Sequence, residues 1–213
     1  MEQIKYYKKS EEIMNAITHG IGMGLSIAAL VLLIVFSSLH GNAWHIVSFT
    51  IFGVSLIIMY SASTFYHSLT NQKAKRVFQI FDHSSIYILI AGTYTPFVLT
   101  VLRPYYGWVM FGIVWGGLIL GICFQTLWLN KNKYLETSIY IIMGWLIVVD
   151  IKPLIDLMPL NGVLFLILGG VAYSIGAIFY LVKKIPYNHA IWHLFVVAGS
   201  ICHFFSVLYI LKI

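Results

Sequence analysis

Three histidines and one aspartate could carry the chemistry of this chain: His67, Asp82, His189 and His193. All four lie in or beside long apolar segments, where ionisable side chains are costly and their default reading is functional. His189 and His193 are four residues apart, a spacing that places two imidazoles on one helical face with Cβ atoms about 5–6 Å apart. Two imidazoles at this spacing bind one ion in the H-E-x-x-H zinc motif.

A metal site would need a third ligand, and His67 can supply it. Zinc prefers tetrahedral nitrogen or sulfur ligands, and a catalytic zinc typically has three protein ligands plus water. We expect His67, His189 and His193 to bind Zn²⁺ and Asp82 to hold the bound water or orient a ligand. Ser63, one turn before His67 on the same face, could donate to a ligand or water, or could bond to its own helix backbone instead.

The composition indicates which elements position these residues. The chain has 213 residues, of which 60% are hydrophobic and 9% charged, whereas soluble domains have about 25% charged residues. A helical crossing needs about 20 apolar residues, so the length accommodates seven spans with short loops. We expect one all-α domain over residues 1–213, a seven-transmembrane helix bundle with a short cytoplasmic segment over about residues 1–12.

The apolar runs give seven predicted spans. Asp150, Lys152 and Pro153 cut the fifth run short, and Pro96 should kink the third span. In the fourth run, two interleaved G-x-x-x-G patterns, formed by Gly112, Gly116, Gly117 and Gly121, favour tight helix contact. The spans are Ile13–Ser38, Trp44–Ser68, Val77–Leu102, Tyr105–Leu129, Glu136–Ile151, Leu160–Val182 and His189–Leu211.

Lysine and arginine predict the orientation, because cytoplasmic loops carry the excess of positive charge. The side that holds the N-terminus has ten cations, and the other side has three, Arg103, Lys152 and Lys212. The N-terminus is therefore expected in the cytoplasm and the C-terminus outside. The formal charge of +6 suits anionic lipid as a partner, and no basic aromatic strip indicates nucleic acid. The ten cations are Lys5, Lys8, Lys9, Lys73, Lys75, Arg76, Lys131, Lys133, Lys183 and Lys184.

This topology brings the four polar residues to one face of the membrane. The second span ends at the cytoplasmic boundary near His67, and the third begins there, with Asp82 one to two turns inside. The seventh begins on the same side with His189 and His193. Four groups that are distant in sequence are thus expected at one depth.

The other histidines are expected to have different roles. His19 lies near Glu11, Glu12 and Asn15 and could reach the rim of the site, but an interfacial position is the stronger expectation. His83 points about 100° away from Asp82 around the helix and should serve another contact. His203 lies about 15 Å farther along the axis than His193, too deep to share the metal.

Three segments resemble the hemolysin III family of bacterial membrane proteins. They are "SASTFYHSL", which contains Ser63 and His67, "FDHSSIYILIAGTYTPF" over 81–97, and "HAIWHLFVVAGSICHF" over 189–204. That family is grouped with the progestin and adipoQ receptors, including adiponectin receptors, and is more distantly similar to alkaline ceramidases. The resemblance implies a bacterial plasma membrane, seven helices and an intramembrane zinc near the cytoplasmic face, with ligands at His67, His189 and His193, the aspartate at Asp82 and the motif serine at Ser63.

Three functions remain open from the sequence. The first is a zinc-dependent hydrolase of a lipid amide or ester that enters sideways from the bilayer. The second is a cytolytic or pore-forming protein, which is disfavoured for a monomer because the ionisable groups collect at one end, whereas a channel needs polar lining along its length. The third is a receptor or membrane-stress sensor in which zinc is structural. The oligomeric state is not encoded in any recognisable pattern.

Overall fold

The computed structural model describes residues 7–128 and 132–212, and within these ranges the regular structure is helical. Lys5 and Lys131 of the charge count lie outside the described residues. Seven helical segments are long and apolar enough to cross a membrane, which confirms the predicted seven-span, all-α architecture. Which end faces the cytoplasm stays a prediction from the charges. The segments are Lys9–His40, Ala43–Ser68, Gln72–Val101, Gly107–Leu127, Lys133–Leu157, Leu160–Leu181 and Asn188–Lys212.

Asparagines start three of the spans. The side-chain oxygens of Asn42, Asn71 and Asn132 each accept hydrogen bonds from two backbone N–H groups in the first turn that follows. These caps satisfy donors that have no partner inside the helix. The short connections are therefore sufficient to begin the second, third and fifth spans at fixed residues.

The third span is the least apolar and the most enclosed. Its mean hydropathy is 1.4, and 78% of its most apolar window is buried, whereas the first, fourth and fifth spans each bury 22%. A helix that is surrounded by protein does not have to match hydrocarbon, so polar residues are tolerated on it. Its α-helix runs Gln72–Pro96 and continues as a π-helix over Phe97–Val101. The irregularity expected at Pro96 thus includes a change from α-helix to π-helix directly after the proline.

The fifth span extends farther than the sequence indicates. An α-helix over Lys133–Trp145 is followed by a 3₁₀ segment, Leu146–Asp150, and by a second α-helix, Ile151–Leu157. The predicted end at Ile151 was wrong, because Pro153 lies in the first turn of the second helix, where its missing N–H is tolerated. The Tyr94 hydroxyl supports the junction, donating towards the Met143 and Gly144 carbonyls and accepting from Ile147 N–H.

The fourth span, whose α-helix runs Gly107–Trp128, uses only part of its glycine pattern for packing. A Cβ at Gly121 would overlap the ring of Tyr87, and one at Gly117 would press on Met143. Gly112 and Gly116 have no such neighbour among the described residues. The predicted tight contact therefore applies to Gly117 and Gly121. The α-helices of the first, second, sixth and seventh spans are Lys9–His40, Ala43–Ser68, Leu160–Leu181 and Asn188–Tyr209.

Substituting alanine at two of these glycines should have opposite effects. We expect Gly121→Ala to lower the free energy of unfolding by about 1–3 kcal/mol, because the Tyr87 ring is fully buried and overpacking is costly. Gly112→Ala, in the same helix, should be neutral or stabilising by about 0.5–1 kcal/mol. Thermal unfolding of both purified variants in detergent measures this, and equal melting temperatures would contradict it.

Candidate metal centre

His67, His189 and His193 converge as the sequence predicts. Their ligand nitrogens all lie within 4.8 Å of one another, and all three residues are buried. The Nε2 atoms of His67 and His189 are 3.2 Å apart. The second span supplies one ring and the start of the seventh supplies two, so the three imidazoles meet at one end of the bundle, which we call the histidine end. Three imidazole nitrogens at these separations fit a single ion such as zinc.

A left-handed residue sets the start of the seventh span. Tyr187 has φ 55° and immediately precedes the helix that begins at Asn188. This conformation costs roughly 1–2 kcal/mol for a residue with a Cβ. It is supported from the first span, because Tyr187 N–H points to Glu11 Oε1 at 3.4 Å and its hydroxyl donates to Ser10 Oγ at 3.3 Å. The turn therefore holds the helix that presents His189 and His193.

Tyr7, which precedes the first span, covers one side of the three-histidine centre. Tyr7 stacks on His189 with ring centroids 5.1 Å apart and lies 6.0 Å from His67. Burial raises the pKa of the Tyr7 phenol, and the negative charge of Asp82 raises it further, so the phenol stays neutral.

A largely apolar cavity of about 260 Å³ adjoins the histidine end. His189, His193 and Asp82 line it, and it continues to His203 deep in the bundle. The cavity wall also includes Gly144 and Val148 of the fifth span, which are exposed on the outside of the bundle. The cavity therefore reaches the bundle surface beside the fifth span.

Ser63 lies one turn before His67 in the helix of the second span, as expected, but it does not line this cavity. Its side chain is fully buried, and its hydroxyl has no hydrogen-bond partner among the described residues. The alternative of a hydrogen bond to the helix backbone is not realised. Ser63 does not line the cavity. A molecule in the cavity would therefore reach Ser63 only through a water molecule or through an ion bound by the three histidines.

Two of the other histidines follow expectation. His83 bonds Glu136 through Nδ1 at 2.6 Å, the separate contact that its angle on the helix predicted, and its Nε2 is 4.0 Å from Asp82. His203 uses Nε2 to reach the Leu166 carbonyl at 3.2 Å and does not belong to the metal-binding group.

The interfacial position expected for His19 was wrong. Its ring is buried and stacks on that of His193 with centroids 3.5 Å apart. His19 directly follows Thr18, whose hydroxyl contacts His193, so both residues lie on the side of the first span that faces the bundle. The amphipathic pattern of residues 12–19 could have indicated which side this is.

Sequence comparison places these residues in a known family. The Haemolysin-III related family matches residues 7–204, which include every residue of the centre. The chain belongs to this family. "Hemolysin-3 homolog" of Bacillus subtilis (strain 168) is 52% identical over 93% of each chain, and "Hemolysin-3" of Bacillus cereus is 52% identical over 93% of this chain and 91% of its own.

A more distant relative supports the wider grouping with the progestin and adipoQ receptors. The human "Monocyte to macrophage differentiation factor" is 27% identical over 92% of this chain and 83% of its own. Together with the seven spans, the bacterial relatives identify the family member described here as a multi-pass protein of a bacterial cell membrane.

Removal of any one of the three histidines should lower the metal content of the purified protein. Protein purified with its metal should contain one ion per chain, and His67→Ala, His189→Ala and His193→Ala should each lose most of it, since each removes one of three ligands. His40→Ala is the control, because His40 is exposed and outside the group. Elemental analysis measures the content, and equal metal in all four variants would contradict the centre.

Proposed function

We propose that the protein is a zinc-dependent hydrolase of a membrane lipid that carries an amide or ester bond. The observation that supports this most is that His189 and His193 belong to the three-imidazole group and also line the cavity. A substrate in the cavity would therefore lie directly against the proposed ion. Zinc bound by three histidines lowers the pKa of a coordinated water and polarises a carbonyl group.

Asp82 is the proposed general base and acid. Its carboxylate lines the same cavity as the two histidines and is about one-eighth exposed. It would take a proton from the attacking water as the new carbon–oxygen bond forms, and return it to the nitrogen or oxygen that leaves. We propose that Ser63, whose buried hydroxyl has no partner among the described residues and which does not line the cavity, acts on the substrate oxygen through a water molecule.

The cavity favours a lipid substrate over a pore. Its lining is mainly apolar side chains, such as Leu89, Ile90 and Phe97 in the third span, whereas an ion channel needs polar lining along its length. An apolar cavity with a few polar groups at one end is typical of a small-molecule site. Because the cavity reaches the outer surface at Gly144 and Val148, a lipid chain could enter sideways.

Isosteric replacement of the aspartate tests the chemistry. Asp82→Asn should keep the metal and lose most lipid turnover, because an amide cannot accept the proton. Asp156→Asn is the matched control, since Asp156 is exposed and paired with Lys152 at 2.6 Å. Lipid mass spectrometry before and after incubation with amide and ester lipids measures turnover. Unchanged turnover in Asp82→Asn would exclude its role, and a wild-type protein without any lipid product would favour structural zinc.

The lateral opening predicts a second effect. Gly144→Phe should slow turnover by raising KM while metal content stays constant, because the new ring would stand where the cavity meets the surface. Gly112→Phe, which also has open space around it, lies away from the cavity and should leave KM unchanged. Equal KM values for the two variants would mean that substrate enters by another route. Dye leakage from liposomes would support the pore instead.

A further inference from the structure

The first span contacts two of the three imidazoles on the side away from their meeting point. Glu12, Asn15 and Thr18 are spaced three residues apart and therefore share one face of the helix. Glu12 contacts His67, and Asn15 and Thr18 contact His193. In each case the contacted ring atom is Nδ1, which leaves Nε2 for the centre.

The contact with Glu12 fixes the proton of His67. Glu12 Oε2 is 2.6 Å from His67 Nδ1, whereas the Asn15 amide nitrogen is 3.5 Å away, at the limit for a hydrogen bond. An ionised carboxylate can only accept, so His67 carries its proton on Nδ1. The Nε2 lone pair then faces His189, 3.2 Å away.

A lysine supplies the positive charge opposite the Glu12 carboxylate. Lys75 Nζ lies 3.0 Å from Glu12 Oε1, and it also donates to the Tyr66 carbonyl at 3.0 Å. Lys75 is almost fully buried, and a buried ammonium requires an opposite charge nearby. A chain of polar contacts thus runs from Lys75 through Glu12 to His67 and joins the third, first and second spans.

His193 is fixed by two acceptors. The Thr18 hydroxyl hydrogen points to the backbone, with the Met14 and Asn15 carbonyls both 2.9 Å away. Thr18 Oγ1 can therefore only accept from His193 Nδ1 at 3.1 Å, as does the Asn15 carbonyl at 3.2 Å. The proton of His193 is consequently on Nδ1, and its Nε2 lone pair is free to bind an ion.

We infer that Glu12 and Thr18 are positioning residues for the metal, which hold His67 and His193 in the one tautomer and orientation that turn both Nε2 lone pairs to the ion. This inference rests on the metal centre of the proposed function. Groups that bond the second nitrogen of a ligating histidine typically contribute roughly 10–100-fold to metal affinity. A purely structural role in attaching the first span would affect folding but leave the affinity of the folded protein unchanged.

The test is a Zn²⁺ titration of the full-length, metal-stripped protein in detergent, with a chromophoric chelator as competitor. Glu12→Gln should weaken Zn²⁺ binding by roughly 10–100-fold, because the neutral amide accepts more weakly and can present a donor instead. The isosteric Thr18→Val should weaken it less, since the Asn15 carbonyl still accepts from His193. Asp156→Asn, an isosteric change at an exposed residue that pairs with Lys152, is the control and should bind Zn²⁺ like the wild type.

A double-mutant comparison separates positioning from general damage. In a His67→Ala background, Glu12→Gln should have no further effect on Zn²⁺ affinity, because its only route to the metal is through His67. An equal loss with and without His67 would overturn the inference. Wild-type-like affinity in both Glu12→Gln and Thr18→Val would also overturn it, while leaving the proposed function intact. If Glu12→Gln does not fold, Thr18→Val and its comparison with the wild type decide the question.

Failure of the centre itself has a different signature. A wild-type protein that takes up no Zn²⁺ at any concentration would refute both the proposed function and this inference. Tight binding by the wild type that is weakened by Glu12→Gln, with no lipid product ever formed, would support the positioning role and count against the hydrolase.

Discussion

A buried imidazole gains stability when each of its two ring nitrogens has a partner, and this requirement explains how His67 and His193 are held. A buried polar group without a partner costs about 1–3 kcal/mol. His67 and His193 satisfy Nδ1 through the first span, and this leaves their Nε2 lone pairs directed into a space shared with His189. Facing lone pairs repel one another unless a proton or a cation lies between them. The hydrogen bonds of the first span therefore make a positive charge between these ring nitrogens favourable.

The same requirement explains why the third span is central. Lys75 and His83 near its start would be very costly in hydrocarbon, yet each has an acidic neighbour from another span, Glu12 and Glu136 respectively. Glu136, at the start of the fifth span, bonds His83 and accepts from the Tyr140 hydroxyl at 2.8 Å. Enclosure by other helices thus permits the most polar span to carry the carboxylate that lines the cavity.

The sequence predicted the spans and the convergent histidines well, because both depend on features that composition reveals. Apolar runs of sufficient length identify helices, and alternating direction places Asp82 and His189 at one end. The continuation of the fifth span past its 3₁₀ segment was not predictable in this way, because it depends on the Tyr94 hydroxyl from another span. Gly112 and Gly116 likewise show the pattern for close packing, but neither has a packing partner among the residues that the structure describes.

The contacts of the first span are the part of the site that the sequence indicates least. The sequence places Glu12 only near His19, since charged residues at the start of a span are usually solvated. Its pairing with Lys75 and His67 requires the rotation of three helices to be known. A periodic reading of residues 12, 15 and 18 would have indicated a polar face, but not the rings it contacts.

The placement of the cavity bears on whether an ion bound by the three histidines would be structural or catalytic. A structural zinc is normally enclosed by four protein ligands, whereas a catalytic one keeps an open position. Here the group has three histidines, and the side towards the first span is filled by Glu12, Asn15, Thr18 and the stacked His19. The remaining side borders the cavity that Asp82 lines. An ion bound here would therefore have its fourth position on the side of the cavity and of Asp82, and this asymmetry is the reason that we propose a catalytic ion.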